Sequence, residues 1–174
     1  MGVGVGLVIL LAALIVGVSM KPKGDLWFSR VRLTQPQWID KFLRQLDSGG
    51  IDSYLFIYME DWDINAVKAI CAWETGWLSD PKSKSMVNVK CNLFGIDIPN
   101  QPEVGQTFRS YYDCLAYFER MIRTSSYYVK AYPLRGDGQA FIPALSAGGY
   151  NKNQSWIDGV LWCYREILSR QPSV

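Results

Sequence analysis

The sequence has no histidine among its 174 residues. This absence removes the Ser-His-Asp triad, the Cys-His pair and the HExxH zinc helix as sources of hydrolytic chemistry. A catalytic zinc ion held by histidine ligands is excluded for the same reason. Any hydrolysis must therefore depend on carboxylates, Tyr, Lys, Ser or Cys. This favours glycosidic bonds, whose cleavage characteristically uses Asp and Glu.

The sequence also lacks long basic runs and paired cysteines. Its net charge is only +2, and no Lys/Arg run is long enough to predict a nucleic-acid partner. The four cysteines are Cys71, Cys91, Cys114 and Cys163, and none forms a CxxC pair that would indicate a zinc ribbon or a thioredoxin-type site. Buried thiols and disulfides both remain open, and the apolar stripes around Cys71 and Cys163 predict free core thiols there. No metal and no cofactor are expected.

Aromatic residues, by contrast, are abundant. They make up 14% of the chain, with seven Trp and ten Tyr. Rings with one polar edge suit flat, hydroxylated ligands such as sugars, and the same rings also pack well in a core. The composition leaves both uses open.

The first 20 residues are predicted to be a single-pass transmembrane anchor. Residues 2–20 read GVGVGLVILLAALIVGVSM, with no charge and no proline. Nineteen helical residues span about 28 Å, close to the ~30 Å hydrocarbon core of a bilayer. The anchor is then followed by a linker at 21–33 and a folded domain at 34–170. Gly17-Val18-Ser19 is a small-x-small sequence, so removal of the segment as a signal peptide is the alternative.

Basic residues flank the apolar segment on one side only. Lys21, Lys23, Arg30 and Arg32 all follow it, and no basic side chain precedes it. The positive-inside tendency therefore predicts that the folded domain faces the cytoplasm.

The pattern from Thr34 onward predicts a mainly α domain that is interrupted by one irregular or β-like insertion. Prolines and glycines mark Asp80 to Gln106 as this insertion, a loop region that holds one short hairpin. The predicted helices run from the Thr34 cap to Gly49-Gly50, over Ser53–Met59, from Asp61 or Asp63 to Glu74, and over Tyr112–Ser125, Gly138–Ser146 and Gln154–Leu168.

Glu74 breaks the pattern of its own helix. It occupies the middle of a predicted apolar face whose members are related by steps of three and four, namely Val67, Ile70, Cys71, Trp77 and Leu78. Glu119 and Glu166, in contrast, each have an arginine four residues further on, as expected for solvated ion pairs. A carboxyl held against apolar side chains has a raised pKa, which suits a general acid near neutral pH. A glutamate at a helix end that simply reaches water is the alternative.

Four short elements share their order with a known family. They are Ala72-Trp73-Glu74-Thr75-Gly76-Trp77, Asn92-Leu93-Phe94-Gly95-Ile96, Phe108-Arg109-Ser110-Tyr111 and Gly148-Gly149-Tyr150. The arrangement resembles glycoside hydrolase family 73, the N-acetylglucosaminidases of autolysins and of the flagellar wall-cutting protein. That family shows an E-S-G-W/Y turn, an N-L-F-G-I segment, an F-R-x-Y stretch and a G-Y motif. The resemblance covers about Pro36 to Leu168.

The resemblance implies a lysozyme-like fold, with an α-lobe, a small and here abbreviated β-lobe, and a groove between them. It implies an enzyme that cuts the β-1,4 bond between N-acetylglucosamine and N-acetylmuramic acid in peptidoglycan. Glu74 would be the catalytic acid and Tyr150 the active-site tyrosine. The implied substrate-binding residues are Asn92, Phe94 and Gly95 on the groove floor and the motif aromatics Trp73, Trp77 and Tyr111.

A second catalytic carboxylate is less well defined. Family members usually carry it on a longer hairpin, and only Asp97 to Thr107 fills that gap here. Asp97 and Glu103 are the candidates, and both can equally be turn residues on a polar loop. One acid can suffice if the 2-acetamido group of the sugar supplies the nucleophile.

Two other functions remain open. A lytic transglycosylase would use the same residues on the same substrate, and a membrane-tethered wall-binding or structural module would use the groove without catalysis. The predicted orientation places the domain away from a cell wall, unless a dedicated export route operates or the membrane belongs to a virus. A lysin in the virion of a membrane-containing bacteriophage, a bacterial remodelling enzyme and a secretion-system component all fit. The predicted partners are glycan strands, the membrane and viral or membrane proteins.

Overall fold

The computed structural model describes residues 35–48, 50–78 and 83–171. Within these ranges the chain forms seven α-helices, two 3-10 helices and one antiparallel hairpin, so the mainly α prediction is confirmed. In chain order the elements are α1 (Gln35–Ser48), α2 (Ile51–Tyr58), α3 (Ile64–Thr75), α4 (Lys84–Asn88), β1 (Asp97–Ile98), β2 (Gln101–Gly105), α5 (Tyr111–Thr124), 3-10 helices at Ser126–Tyr128 and Tyr132–Leu134, α6 (Gly138–Ala147) and α7 (Gln154–Leu168).

The predicted anchor (1–20) and linker (21–33), together with the Thr34 cap, lie outside the described residues. Among the helices that are described, none is both long and apolar enough to cross a bilayer. The predicted bounds of α7 are confirmed, and the other predicted helices differ by one or two residues at their ends. The five-residue α4 was not predicted, because a helix this short lacks a readable apolar period.

Helix α3 runs through the centre of the domain. Its start is fixed by Asp63 rather than Asp61, since one Asp63 carboxylate oxygen accepts the backbone N–H groups of Asn65 (3.0 Å) and Ala66 (3.3 Å). The helix packs along α7 and α6. Small side chains allow that close approach, and the residues of α3 that are buried are Ala66, Val67, Ala69, Ile70, Cys71, Ala72 and Thr75.

The prediction that Trp77 and Leu78 continue the apolar face of α3 is wrong. The helix ends at Thr75, and Gly76, Trp77 and Leu78 all have a positive φ (56°, 59° and 54°). Thr75 holds this left-handed turn, because its hydroxyl donates to the Cys71 carbonyl (2.7 Å) and accepts the Leu78 N–H (3.1 Å). Trp77 and Leu78 are still buried in the core, but they reach it because the chain changes direction at this turn and not because they follow the helical spacing.

The predicted short hairpin is present. Strand β1 pairs antiparallel with β2 across a turn at Pro99-Asn100, where Asn100 has φ +62°. Asn is among the residues that tolerate this left-handed conformation. The hairpin is the β-like part of the domain, and it follows directly on the 92–96 loop discussed below.

All four cysteines are buried and keep reduced thiols, which confirms the prediction for Cys71 and Cys163. Burial raises the pKa of Cys114 and Cys163 to about 12, so these thiols are neutral core groups at neutral pH.

Asp63 also ties three helices together. Its second carboxylate oxygen accepts the N–H of Gly138 at the start of α6 (3.0 Å) and the hydroxyl of Tyr164 on α7 (2.5 Å). Gly138 has to be glycine here, since a Cβ would lie 2.7 Å from the Asp63 carboxylate and 2.8 Å from the Tyr164 ring. One carboxylate thus serves as a helix cap and as a tertiary contact.

This dual role can be measured by comparing two capping aspartates. Asp63→Ala is expected to lower the free energy of unfolding by roughly 3 kcal/mol, since it removes a cap and two further hydrogen bonds to a charged acceptor. Asp137→Ala removes the cap of α6 alone, and its expected cost is about 1 kcal/mol. Urea unfolding of both variants gives the two values, and equal losses would contradict the tertiary role of Asp63.

Candidate active site

Glu74 lies in the last turn of α3, where α7 packs against it. The first turn of α7 is capped by Asn153, whose side chain accepts the Ser155 N–H (3.0 Å). This cap places Trp156 opposite α3. The indole Nε1–H of Trp156, a 2% exposed side chain, donates to Glu74 Oε1 at 2.7 Å.

The other carboxylate oxygen of Glu74 faces Gly95. A Cβ built on Gly95 would lie 2.8 Å from Glu74 Oε2, closer than such atoms approach each other. Gly95 also has φ +61°, a conformation that residues with a Cβ rarely adopt. Glycine is therefore required at this position twice, for the path of the loop and for its distance from the carboxyl group.

Asn92 organises the loop that carries Gly95. Its side-chain NH₂ donates to the carbonyls of Ile96 (2.7 Å) and Gln106 (3.1 Å). Its side-chain oxygen accepts the N–H groups of Phe94 (3.3 Å) and Ile96 (3.0 Å). The amide is fully buried, so Asn92 shapes the loop from within instead of offering its side chain to a ligand.

Tyr150 connects the same loop to the helical part of the domain. Its hydroxyl donates to the Phe94 carbonyl at 2.6 Å, and its ring packs near those of Phe118 and Trp156. Burial raises the pKa of Tyr150 well above its ordinary value, and the nearby Glu74 adds to this. Tyr150 thus keeps its proton and holds the loop in place beside Glu74.

Desolvation raises the pKa of Glu74 from 4.5 to about 7. The Trp156 hydrogen bond opposes this shift because it stabilises the carboxylate, whereas the negative charge of Asp97 reinforces it. At neutral pH a substantial part of the Glu74 population is therefore a neutral acid. The same helix face provides apolar neighbours and no paired cation, as the sequence pattern indicated.

Of the two candidates for a second carboxylate, Asp97 acts on Glu74 electrostatically. Both Asp97 and Glu103 are exposed and belong to the hairpin. Asp97 Oδ2 accepts the backbone N–H of Glu103 (2.9 Å), and Glu103 has φ +66°. Of the two, Asp97 is therefore the one whose charge affects the pKa of Glu74, and Glu103 has the geometry of a turn residue.

The predicted binding aromatics differ in their exposure. Trp73 is 40% exposed, and its ring lies across Gly159 of α7. A Cβ on Gly159 would come within 2.1 Å of this ring. Trp77 and Tyr111 are core residues, and the Tyr111 hydroxyl donates to the Val87 carbonyl (3.3 Å). Their side chains thus form the support of the site, as does that of Phe94, which stacks on Phe118 at 4.3 Å between ring centroids.

Two residues that contact the four elements were not singled out from the sequence. Trp156 is separated from Glu74 by 82 positions, and nothing local to it indicates a polar contact. Tyr127 is 77% exposed. A Cβ on Gly148 would lie only 2.7 Å from the Tyr127 carbonyl oxygen, so glycine at this position lets the Gly148-Gly149-Tyr150 segment pack against Tyr127. Contacts between residues that are far apart in the chain leave no periodic pattern in the sequence, so they could not be predicted from it.

A groove in the described part of the chain lies elsewhere. It encloses about 320 Å³ between α1, α2, α3 and α7, and its walls include Arg44, Asp47, Asp52 and Lys68. Asp52 and Lys68 form an ion pair across it at 2.8 Å. None of the predicted site residues lines this groove. Across the described ranges, no three Cys, Asp or Glu side chains are grouped as metal ligands.

Comparisons with protein-family models, curated proteins and solved structures found no match to the chain. The likeness to family 73 therefore depends on the four short elements alone. The structure gives each of these elements a physical role. The first ends α3 at Glu74, the second forms the loop beside it, the third begins α5 and the last holds Tyr150.

Burial of Glu74 predicts a specific dependence of stability on pH. Its folded-state pKa is raised above the ordinary 4.5, so the stability linked to its protonated form is complete below about pH 4.5 and is lost as pH rises through about 7. Glu74→Gln cannot ionise. Its stability relative to the unmodified chain should increase by on the order of 3 kcal/mol between pH 4 and pH 8. Urea unfolding across this range measures the change, and a constant difference would contradict the burial of the charge.

Proposed function

We propose that the chain is a peptidoglycan hydrolase with a lysozyme-like fold that cuts the β-1,4 bond between N-acetylglucosamine and N-acetylmuramic acid. The observation that supports this most directly is the carboxyl group of Glu74. It is desolvated between α3, α7 and the 92–96 loop, and its pKa is raised to about 7. A glycosidase needs an acid that is still protonated near neutral pH.

In the proposed reaction Glu74 donates its proton to the glycosidic oxygen as the C1–O bond breaks. The acetamido oxygen of the same sugar attacks C1, so that no second protein carboxylate is required as nucleophile. The Glu74 carboxylate then accepts a proton from the water that opens this intermediate and is restored to its neutral form. A pKa close to the working pH allows one group to serve both as acid and as base.

The substrate class is supported by the surroundings of Glu74. Trp73, the preceding residue, has an exposed ring supported from behind by α7, and a flat apolar surface of this kind can stack against a sugar face. Gly95 lets the 92–96 loop lie beside Oε2, where any residue with a Cβ would clash with the carboxyl group. We assign Asn92, Phe94 and Tyr150 to the support of this floor, and Trp77 and Tyr111 to the core behind it.

We further propose that residues 1–20 anchor the domain to a membrane, either facing a cell wall or within the lipid layer of a virion. The support for the anchor is the uncharged apolar segment itself. The basic residues that follow it oppose ordinary export of the domain. A virion-associated lysin that opens the wall during infection avoids this conflict.

The test of catalysis is the loss of turbidity of purified cell walls. Glu74→Gln should reduce the rate by at least about 100-fold, since it removes the general acid and leaves the fold intact. Glu119→Gln is the matched control, because the Glu119 carboxylate pairs with Arg123 on α5 (3.2 Å) and is not assigned to the reaction. Equal lysis by both variants would disprove the role of Glu74. No lysis by either variant or by the unmodified chain would favour a wall-binding module.

A lytic transglycosylase is the second candidate, and one observation favours it. Asp97 is exposed and accepts the Glu103 N–H of the hairpin backbone, so Glu74 is the carboxyl group best suited to act alone as both acid and base. Mass spectrometry of digested peptidoglycan separates the two reactions. We expect reducing N-acetylglucosamine ends, and 1,6-anhydro-muramyl ends would instead establish the transglycosylase.

A further inference from the structure

We propose that Trp156 is a positioning residue that assigns the acidic proton of Glu74 to Oε2, the oxygen that faces Gly95. This inference depends on the proposed function for its catalytic meaning. Its physical content, namely the Trp156 hydrogen bond to Oε1 that leaves Oε2 to carry the proton, concerns the folded protein itself, and this bond can be tested without a substrate.

Trp156 can hydrogen-bond to Glu74 in one direction only. The indole N–H of Trp can donate and cannot accept. It points at Glu74 Oε1 from 2.7 Å. A proton on Oε1 would compete with this donor, whereas a proton on Oε2 leaves Oε1 as a carbonyl-type acceptor. The carbonyl-type oxygen is the stronger acceptor, so the protonated acid makes its stronger Trp156 bond when the proton resides on Oε2.

The other carboxyl oxygen of Glu74, Oε2, lies against the backbone of Gly95, on which a Cβ would come within 2.8 Å of it. Trp156 and Gly95 therefore lie at opposite oxygens of one carboxyl group. Because the indole donor occupies Oε1, the proton resides on the oxygen beside Gly95. Under the proposed function, Oε2 is then the oxygen that donates the proton to the glycan strand.

Other ionisable groups also face Glu74. Asp97 approaches from the hairpin, and its negative charge raises the pKa of Glu74. Tyr150, from the α6–α7 connection, and Cys71, one turn earlier on α3, are both neutral because burial raises their pKa values. The carboxylate form of Glu74 is thus stabilised by Trp156 and opposed by Asp97 and by desolvation.

The test is a carboxyl titration of the full chain by carbon-13 NMR. The chain has five glutamates, and Glu74→Gln identifies the resonance of Glu74. Trp156→Phe retains most of the ring and removes the donor. Without that bond the carboxylate loses stabilisation, so the Glu74 midpoint should move upward from about 7 by about one pH unit or more.

Trp162→Phe is the matched control, because it makes the same change on the same helix. Trp162 packs against Trp77 (5.9 Å between ring centroids) and should leave the Glu74 midpoint unchanged. A Trp156→Phe midpoint within about 0.3 pH unit of the unmodified protein would overturn the proposal. An equal shift in both variants would do so as well, since it would indicate a general packing effect.

A second measurement covers the case in which Trp156→Phe fails to fold. In the unmodified protein the Trp156 indole N–H proton resonance should titrate with the same midpoint as Glu74, and this titration should vanish in Glu74→Gln. An indole resonance that does not respond to the ionisation of Glu74 would overturn the proposal.

Wall lysis then connects the contact to catalysis. In Trp156→Phe the maximal rate should fall, and the alkaline limb of the pH profile should move upward together with the NMR midpoint. A structural role alone would lower the rate without moving the limb. If the unmodified chain does not lyse walls, the proposed function fails, whereas the NMR result on Trp156 still stands by itself.

Discussion

A carboxylic acid lies at the end of a helix that is buried on almost every side, and much of the surrounding structure follows from this. A charged carboxylate in such a place loses its hydration, so the group either finds compensating donors or stays protonated. Glu74 does some of each. Trp156 provides one donor, and desolvation keeps the pKa near neutrality. The result is a group that is easily protonated and easily ionised at the same pH, which is the property that acid-base catalysis requires.

Keeping that group in place takes contacts from distant parts of the chain. Asn92 folds the loop so that Gly95 faces the carboxyl, and Tyr150 fastens the loop through the Phe94 carbonyl. At the end of α3, three successive residues with positive φ begin at Gly76. For residues with a Cβ this conformation costs roughly 1–2 kcal/mol each. Such strain is commonly found close to functional sites, where the surrounding contacts maintain it.

The sequence singled out Glu74 because an acid in an apolar helical stripe is a local anomaly, and desolvation raises the pKa of its carboxyl group, as that pattern predicted. The helix pattern was readable for the same reason, since apolar spacing and caps are local. Trp156 was not identifiable, because its contact with Glu74 joins residues 82 positions apart. The assumption that Trp77 continued the helix failed at Gly76, where a left-handed turn replaced the period of 3.6. Tertiary hydrogen bonds and turns of this kind are set by packing, so a single sequence contains no direct record of them.

The central claim is that the neutral form of Glu74 carries the reaction. The most direct measurement is the rate of wall lysis by the unmodified chain from pH 4 to pH 9, at constant ionic strength and saturating wall concentration. The rate is expected to decline on the alkaline side with a midpoint close to the raised pKa of Glu74, about 7. A rate that stays constant up to pH 9, or that declines around pH 4.5, would contradict the account.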